Sequence, residues 1–132
     1  MKIVAFLFLL PLLTSGTYPK ALKISPEMIS LVIDKNMTDV DLKVIKHELW
    51  DQAGITFDVE NLKRSPKGQI EQISIAVDCH DGYKGKADHT FLKRKSRVGF
   101  YRDYRPGMEA FMIGDIRSKD YKHIKQYRHI KH

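Results

Sequence analysis

Cysteine is nearly absent from this chain: its 132 residues contain one, Cys79. An internal disulfide is thereby excluded, and the fold must be held by its core. Long apolar runs are also scarce. Residues 3–13 form one of eleven residues, broken by Pro11, well short of the ~20 that span a bilayer. Catalytic signatures are missing too: there is no Ser/His/Asp spacing, no paired-carboxylate motif and no glycine-rich phosphate loop. His47-Glu48 opens the helical zinc motif H-E-x-x-H, but Asp51 stands where the second histidine belongs.

What is present begins with a targeting pattern. Lys2 precedes the apolar run, and Thr14-Ser15-Gly16 supplies small residues after it. This positive, apolar, small-residue order predicts a secretory signal peptide over residues 1–16, a mature chain from near Thr17, and export to the periplasm or beyond. A retained membrane anchor is the competing reading, opposed by the length of the run. No cysteine follows it, so a lipid anchor is not expected.

Charge is unevenly spread. Residues 17–79 carry 8 Lys and Arg against 10 Asp and Glu, whereas residues 80–132 carry 14 against 6. The apolar pattern is legible in the more acidic half. Ile29, Leu31 and Ile33 alternate and predict a strand over 28–35. Residues 36–54 read as a helix, with Thr38 as N-cap, Asp39 and Asp41 in the first turn, and Gly54 at the stop. Its stripe is Leu42, Ile45, Leu49 and Ala53; His47, Lys43 and Asp51 fall on the opposite, charged side. Alternation over 54–61 and 69–79 predicts a hairpin through Ser65-Pro66-Lys67-Gly68, and Asp81-Gly82 introduces a further strand over 83–89. With one amphipathic helix and strands apolar on one side, the expected fold is α+β. It is a two-layer sandwich of one helix on a three- to four-stranded sheet, in the order β-α-β-β with a fourth strand possible on the same pattern. The expected organisation is a linker over 17–27, a single domain over 28–116 (best defined over 28–89) and a basic, His-containing tail over 117–132.

Lys35-Asn36, Thr38-Asp39, Leu42, Gly54-Ile55 with Phe57, Lys63-Arg64, and Lys67-Gly68 followed by Ile70, Ile73 and Ile75 together resemble a small bacterial domain. That domain occurs behind membrane-embedded zinc metallopeptidases of the BlaR/MecR antibiotic-sensor type and as short exported proteins. The resemblance covers roughly residues 29–80. It implies an extension domain without catalysis. The peptidase itself is absent, so neither its activity nor antibiotic sensing carries over.

Cys79 closes an alternating run and reads as a buried structural thiol rather than a nucleophile. Beyond residue 89, Phe91, Phe100, Tyr101, Tyr104 and Phe111 interleave with Lys93, Arg94, Lys95, Arg97, Arg102 and Arg105. Such a mixture can bind polyanions. Nucleic acid is not the expected partner of an exported chain, which leaves anionic envelope surfaces or an envelope protein. The simpler reading has the aromatics packing under a loop while the cations stay solvated. YKHIK (121–125) and YRHIK (127–131) repeat at a spacing of six, which fits neither one helical face nor a rigid chelate. No metal, cofactor or catalytic residue is expected. The expected function is a non-enzymatic exported binding or accessory module, with the six cations as electrostatic binding residues. The alternative is a small exported hydrolase or metal-binding protein, for which a pocket gathering His80, Asp81, Asp88 and His89 would be the sign.

Overall fold

The computed structural model describes residues 21–91 and 97–115. The expected signal peptide and the expected tail lie outside the described residues, as do Lys93, Arg94 and Lys95. The described elements are β1 (Leu22–Ile24), β2 (Met28–Ile33), α1 (Asp39–Ala53), β3 (Thr56–Arg64), β4 (Ile70–Asp78), β5 (Lys84–Thr90), β6 (Val98–Asp103) and β7 (Phe111–Asp115). Among the described residues no helix is long and apolar enough to cross a membrane.

The class is α+β, but the single sheet expected under the helix is in fact two. One antiparallel sheet has the order β1-β2-β6-β7, and the other has the order β3-β4-β5. The physical reason is that β2 pairs along its whole length with β6, from Met28↔Asp103 to Ile33↔Val98, and not with the β3–β4 hairpin. Gly99 permits this pairing. A Cβ there would lie 1.9 Å from the Leu31 carbonyl oxygen, so any side chain would push β6 away from β2. The expected linker also contains structure, because Leu22 is buried in the core and β1 pairs with β2 over Leu22↔Leu31 to Ile24↔Ile29.

One core joins both sheets and the helix. From the first sheet it takes Leu22, Ile29, Leu31, Ile33, Val98 and Phe100; from α1, Leu42, Ile45 and Leu49; from the second sheet, Phe57, Ile73, Ile75 and Val77. The two sheets also meet where β5 passes β7, at Gly85: a Cβ there would lie 2.8 Å from Ile113 Cγ2. A smaller cluster, Met28 and Tyr101 with Met108 and Met112, covers the opposite face of the first sheet.

The helix begins and ends where its sequence requires. The Asp41 N–H donates to Thr38 Oγ1 at 3.1 Å, and the Thr38 N–H donates to the Asp41 carboxylate at 2.9 Å, a reciprocal capping box. Gly54 terminates it in the left-handed region, φ 66°, where a side chain would be strained. Arg64 fastens the hairpin to the N-terminal end of the helix by donating to the Met37 carbonyl and to Asp39, and it also donates to the Gly68 carbonyl within the hairpin.

His47 is exposed and Leu49 is fully enclosed. Leu49→Ala should therefore cost about 2–5 kcal/mol in denaturant unfolding, through lost burial and a residual cavity. His47→Ala should stay within about 0.5 kcal/mol. Equal losses would mean that the helix presents a different face to the core.

Candidate functional site

The three-stranded sheet has an inner face in the core and an outer face that no described element covers. Register fixes which residues share the outer face. Thr56, Asp78 and Lys84 stand side by side across β3, β4 and β5, and the next row is Asp58, Ala76 and Lys86. After a bulge at Glu60 come Asn61, Ser74 and Asp88, then Lys63, Gln72 and Thr90. Small side chains occupy the middle strand at Ser74 and Ala76, between longer ones on either side. The result is two open depressions, each of about 440 Å³, one over Ala76 and one over Ser74. Lys46 reaches from α1 to pair with Asp58, and Lys86 pairs with Glu60 at 3.4 Å.

The end of this face beyond the Thr56 row is shaped by the turn after β4. Asp78 Oδ1 accepts the His80 N–H at 2.8 Å, and His80 takes φ 58°. Its imidazole then lies against the sheet, with Nε2 2.8 Å from Thr56 Oγ1 and Nδ1 3.8 Å from Asp78 Oδ1. The indole of Trp50, 58% exposed, stands edge-on to the same ring at 6.1 Å between centroids.

Beneath the turn the chemistry is different. Arg102, on the core side of β6, is 9% exposed. Its Nε and Nη2 donate to Asp81 Oδ2 at 2.9 and 2.8 Å, while Nη1 donates to the carbonyls of Asp103 at 2.8 Å and Ala110 at 3.2 Å. The rings of Tyr83 and Tyr104 flank the guanidinium at 4.5 and 4.4 Å. Burial opposes the guanidinium charge, but hydrogen bonding and charge from Asp81 outweigh it and raise the pKa. Burial pushes the neighbouring Cys79 thiol up to about 11, with Asp81 adding to the effect. A thiol held protonated in this way is a poor nucleophile.

The sequence-predicted residues are thus dispersed. Arg97 is exposed, Arg102 is enclosed and tied to Asp81, and Arg105 is bound to buried Asp103 at 3.1 Å. Arg102 departs from the expectation that the cations of this stretch stay solvated. His80, Asp81, Asp88 and His89 do not share a pocket. Asp81 turns under to Arg102, while Asp88 and His89 both line the depression over Ser74, away from His80; the His89 ring packs against Phe91, where burial lowers its pKa. Among the described residues no group of three or more His, Cys, Asp or Glu side chains could hold a metal ion. Sequence reading missed Thr56, Asp78 and Trp50, because only the β3–β4 register, the turn and the placement of α1 bring them to His80. No protein-family model, curated protein or solved structure matches the chain.

Asp81→Ala would strand the enclosed guanidinium of Arg102. The expected loss in denaturant unfolding is about 3 kcal/mol, the lower end of the cost of removing one partner of a buried pair, because a third of the Asp81 side chain meets solvent. A loss within experimental error would show that the two sheets do not depend on this pair.

Proposed function

We propose that the protein is an exported binding or accessory module whose ligand lies on the outer face of β3, β4 and β5. The observation that carries this reading is the line of small side chains on β4. Ala76 leaves an open depression rimmed by Asp58, Asp78, Lys84 and Lys86, and Ser74 leaves one rimmed by Asn61, Lys63, Gln72 and Asp88, a concave surface with convergent polar groups. The resemblance to extension domains of bacterial envelope peptidases, and the signal-like start, support an envelope ligand. Replacing Ala76 fills the depression without touching the core. Ala76→Arg should lower recovery of envelope material on the immobilised mature protein by about tenfold or more. Recovery equal to wild type would remove the outer face from consideration.

Charge favours a second contact, with anionic surfaces. The described residues carry 12 Lys and Arg against 15 Asp and Glu, while the remaining residues carry 11 against one. With Arg102 and Arg105 held by carboxylates, this attraction rests on Lys93, Arg94, Lys95, Arg97 and the cations after residue 116. Binding of the mature protein to anionic vesicles should weaken steeply as salt rises, since exposed charges are screened over ~8 Å at physiological ionic strength. Deleting residues 117–132 should weaken it further and leave the melting transition in place. Equal binding to neutral vesicles, or no dependence on salt, would reject the electrostatic contact.

A further inference from the structure

We propose that Thr56, His80 and Asp78 form a hydroxyl–imidazole–carboxylate relay that accepts an acyl group from carboxylic esters. This goes beyond the binding role and does not require it. Three observations carry the proposal. The first is the relay itself. The tautomer with its proton on Nδ1, towards Asp78 at 3.8 Å, leaves the Nε2 lone pair facing Thr56 Oγ1 at 2.8 Å. The groups stand in the order in which a carboxylate-flanked histidine activates a hydroxyl, with Asp78 acting on the imidazole through charge at 3.8 Å and not through a hydrogen bond.

The second is the backbone. Among the described residues His80 is the one non-glycine residue with positive φ, at 58°. Left-handed backbone outside glycine is uncommon and tends to occur where a side chain must be aimed. Here the Asp78 carboxylate fixes the turn through the His80 N–H, so one residue both bends the chain and faces the imidazole. The third is the setting. Thr56 and Asp78 line the depression over Ala76, and Lys84 lines it too, in the same cross-strand row. A lysine ammonium there supplies positive charge for an oxyanion. Trp50, edge-on to His80, provides an exposed apolar wall for an acyl chain.

The chemistry balances without any further reactant. Thr56 Oγ1 attacks the ester carbonyl carbon as its proton passes to His80 Nε2. The bond to the alkoxide then breaks, and that oxygen takes the proton from Nε2 and leaves as the alcohol. The acyl group is now an ester of Thr56. Water attacks it, again giving a proton to Nε2, and the carboxylic acid departs as the proton returns to Thr56 Oγ1. Asp78 balances the imidazolium in both steps. Cys79 takes no part, because its thiol is buried and held protonated.

The test uses the mature protein with p-nitrophenyl acetate, following nitrophenolate release and locating the acetyl group by peptide mass mapping. Acetylation at Thr56 is expected. Thr56→Val keeps the β-branched shape but lacks the hydroxyl, and His80→Gln lacks the base. Each should lower the Thr56-dependent rate by about a hundredfold or more. Thr56→Ser, which restores a hydroxyl, should retain it, and His47→Ala should match wild type because that imidazole lies on α1 and is no part of the relay. Circular dichroism melting confirms that each variant is folded. Equal rates for Thr56→Val and wild type, or acetyl groups found on lysines and not on Thr56, would overturn the proposal. This ester needs no ligand in the groove. Failure here therefore leaves the binding role tested by Ala76→Arg capture untouched, and failure of that capture leaves the relay untouched.

Discussion

The guanidinium of Arg102 sits where the end of β6 meets the turn between β4 and β5, and it ties a strand of one sheet to a turn of the other. An isolated cation in that position would be untenable, since burying an unpaired charge costs far more than a domain of this size can spare. Four hydrogen bonds and two aromatic faces make it tolerable. Because two of those bonds go to Asp81, the turn of the three-stranded sheet is tied to β6 of the four-stranded one. The same turn carries Cys79 and His80 on either side of one peptide, one pointing into the protein and the other across the outer face. The ion pair anchors the turn from within, while the Asp78 carboxylate, accepting the His80 N–H, and Thr56 hold the imidazole on the outer side.

The outer face owes its form to alternation along β4. Ile73, Ile75 and Val77 go inward and are buried, so Ser74, Ala76 and Asp78 are forced outward. Had the middle strand carried long outward residues, the face would be filled. Two ion pairs already match charges along its flanks, Lys46 to Asp58 and Lys86 to Glu60, with modest energies expected for exposed pairs. What they contribute is arrangement: acidic groups gather along β3 and lysines along β5, with a shallow floor between.

Much of this was readable in the sequence, and the remainder was hidden for identifiable reasons. Helix α1 announced itself through Thr38, Asp41, Gly54 and the Leu42/Ile45/Leu49 stripe, all local signals that the structure uses as such. Strands β2, β3 and β4 followed from period-two alternation, and β5 from the Asp81-Gly82 turn signal before it. Strand β6 could not be read that way because all six of its residues are buried, Arg102 and Asp103 included. Its polar residues look like a surface loop until Asp81 and Arg105 are seen to match them. Without β6 there was no separate partner for β2, and one sheet was the natural expectation. Strand β1, with three residues before Ser25-Pro26, is too short to show any period. The candidate site fared worse than the fold, since Thr56 and His80 are 24 residues apart and meet only through register and a left-handed turn.

The separation of charge between the described fold and the rest of the chain gives this arrangement a further consequence. A body with more carboxylates than cations is not itself drawn to an anionic surface, while the segments around it carry nearly all the excess positive charge. Attraction and recognition would then belong to different parts of one chain. Cations near residues 93–97 and beyond residue 116 would hold the protein close to an anionic layer, and the outer face would meet its ligand at the raised effective concentration that tethering supplies. Weak, open depressions suffice under that condition, because affinity gained from the tether need not be built into the groove.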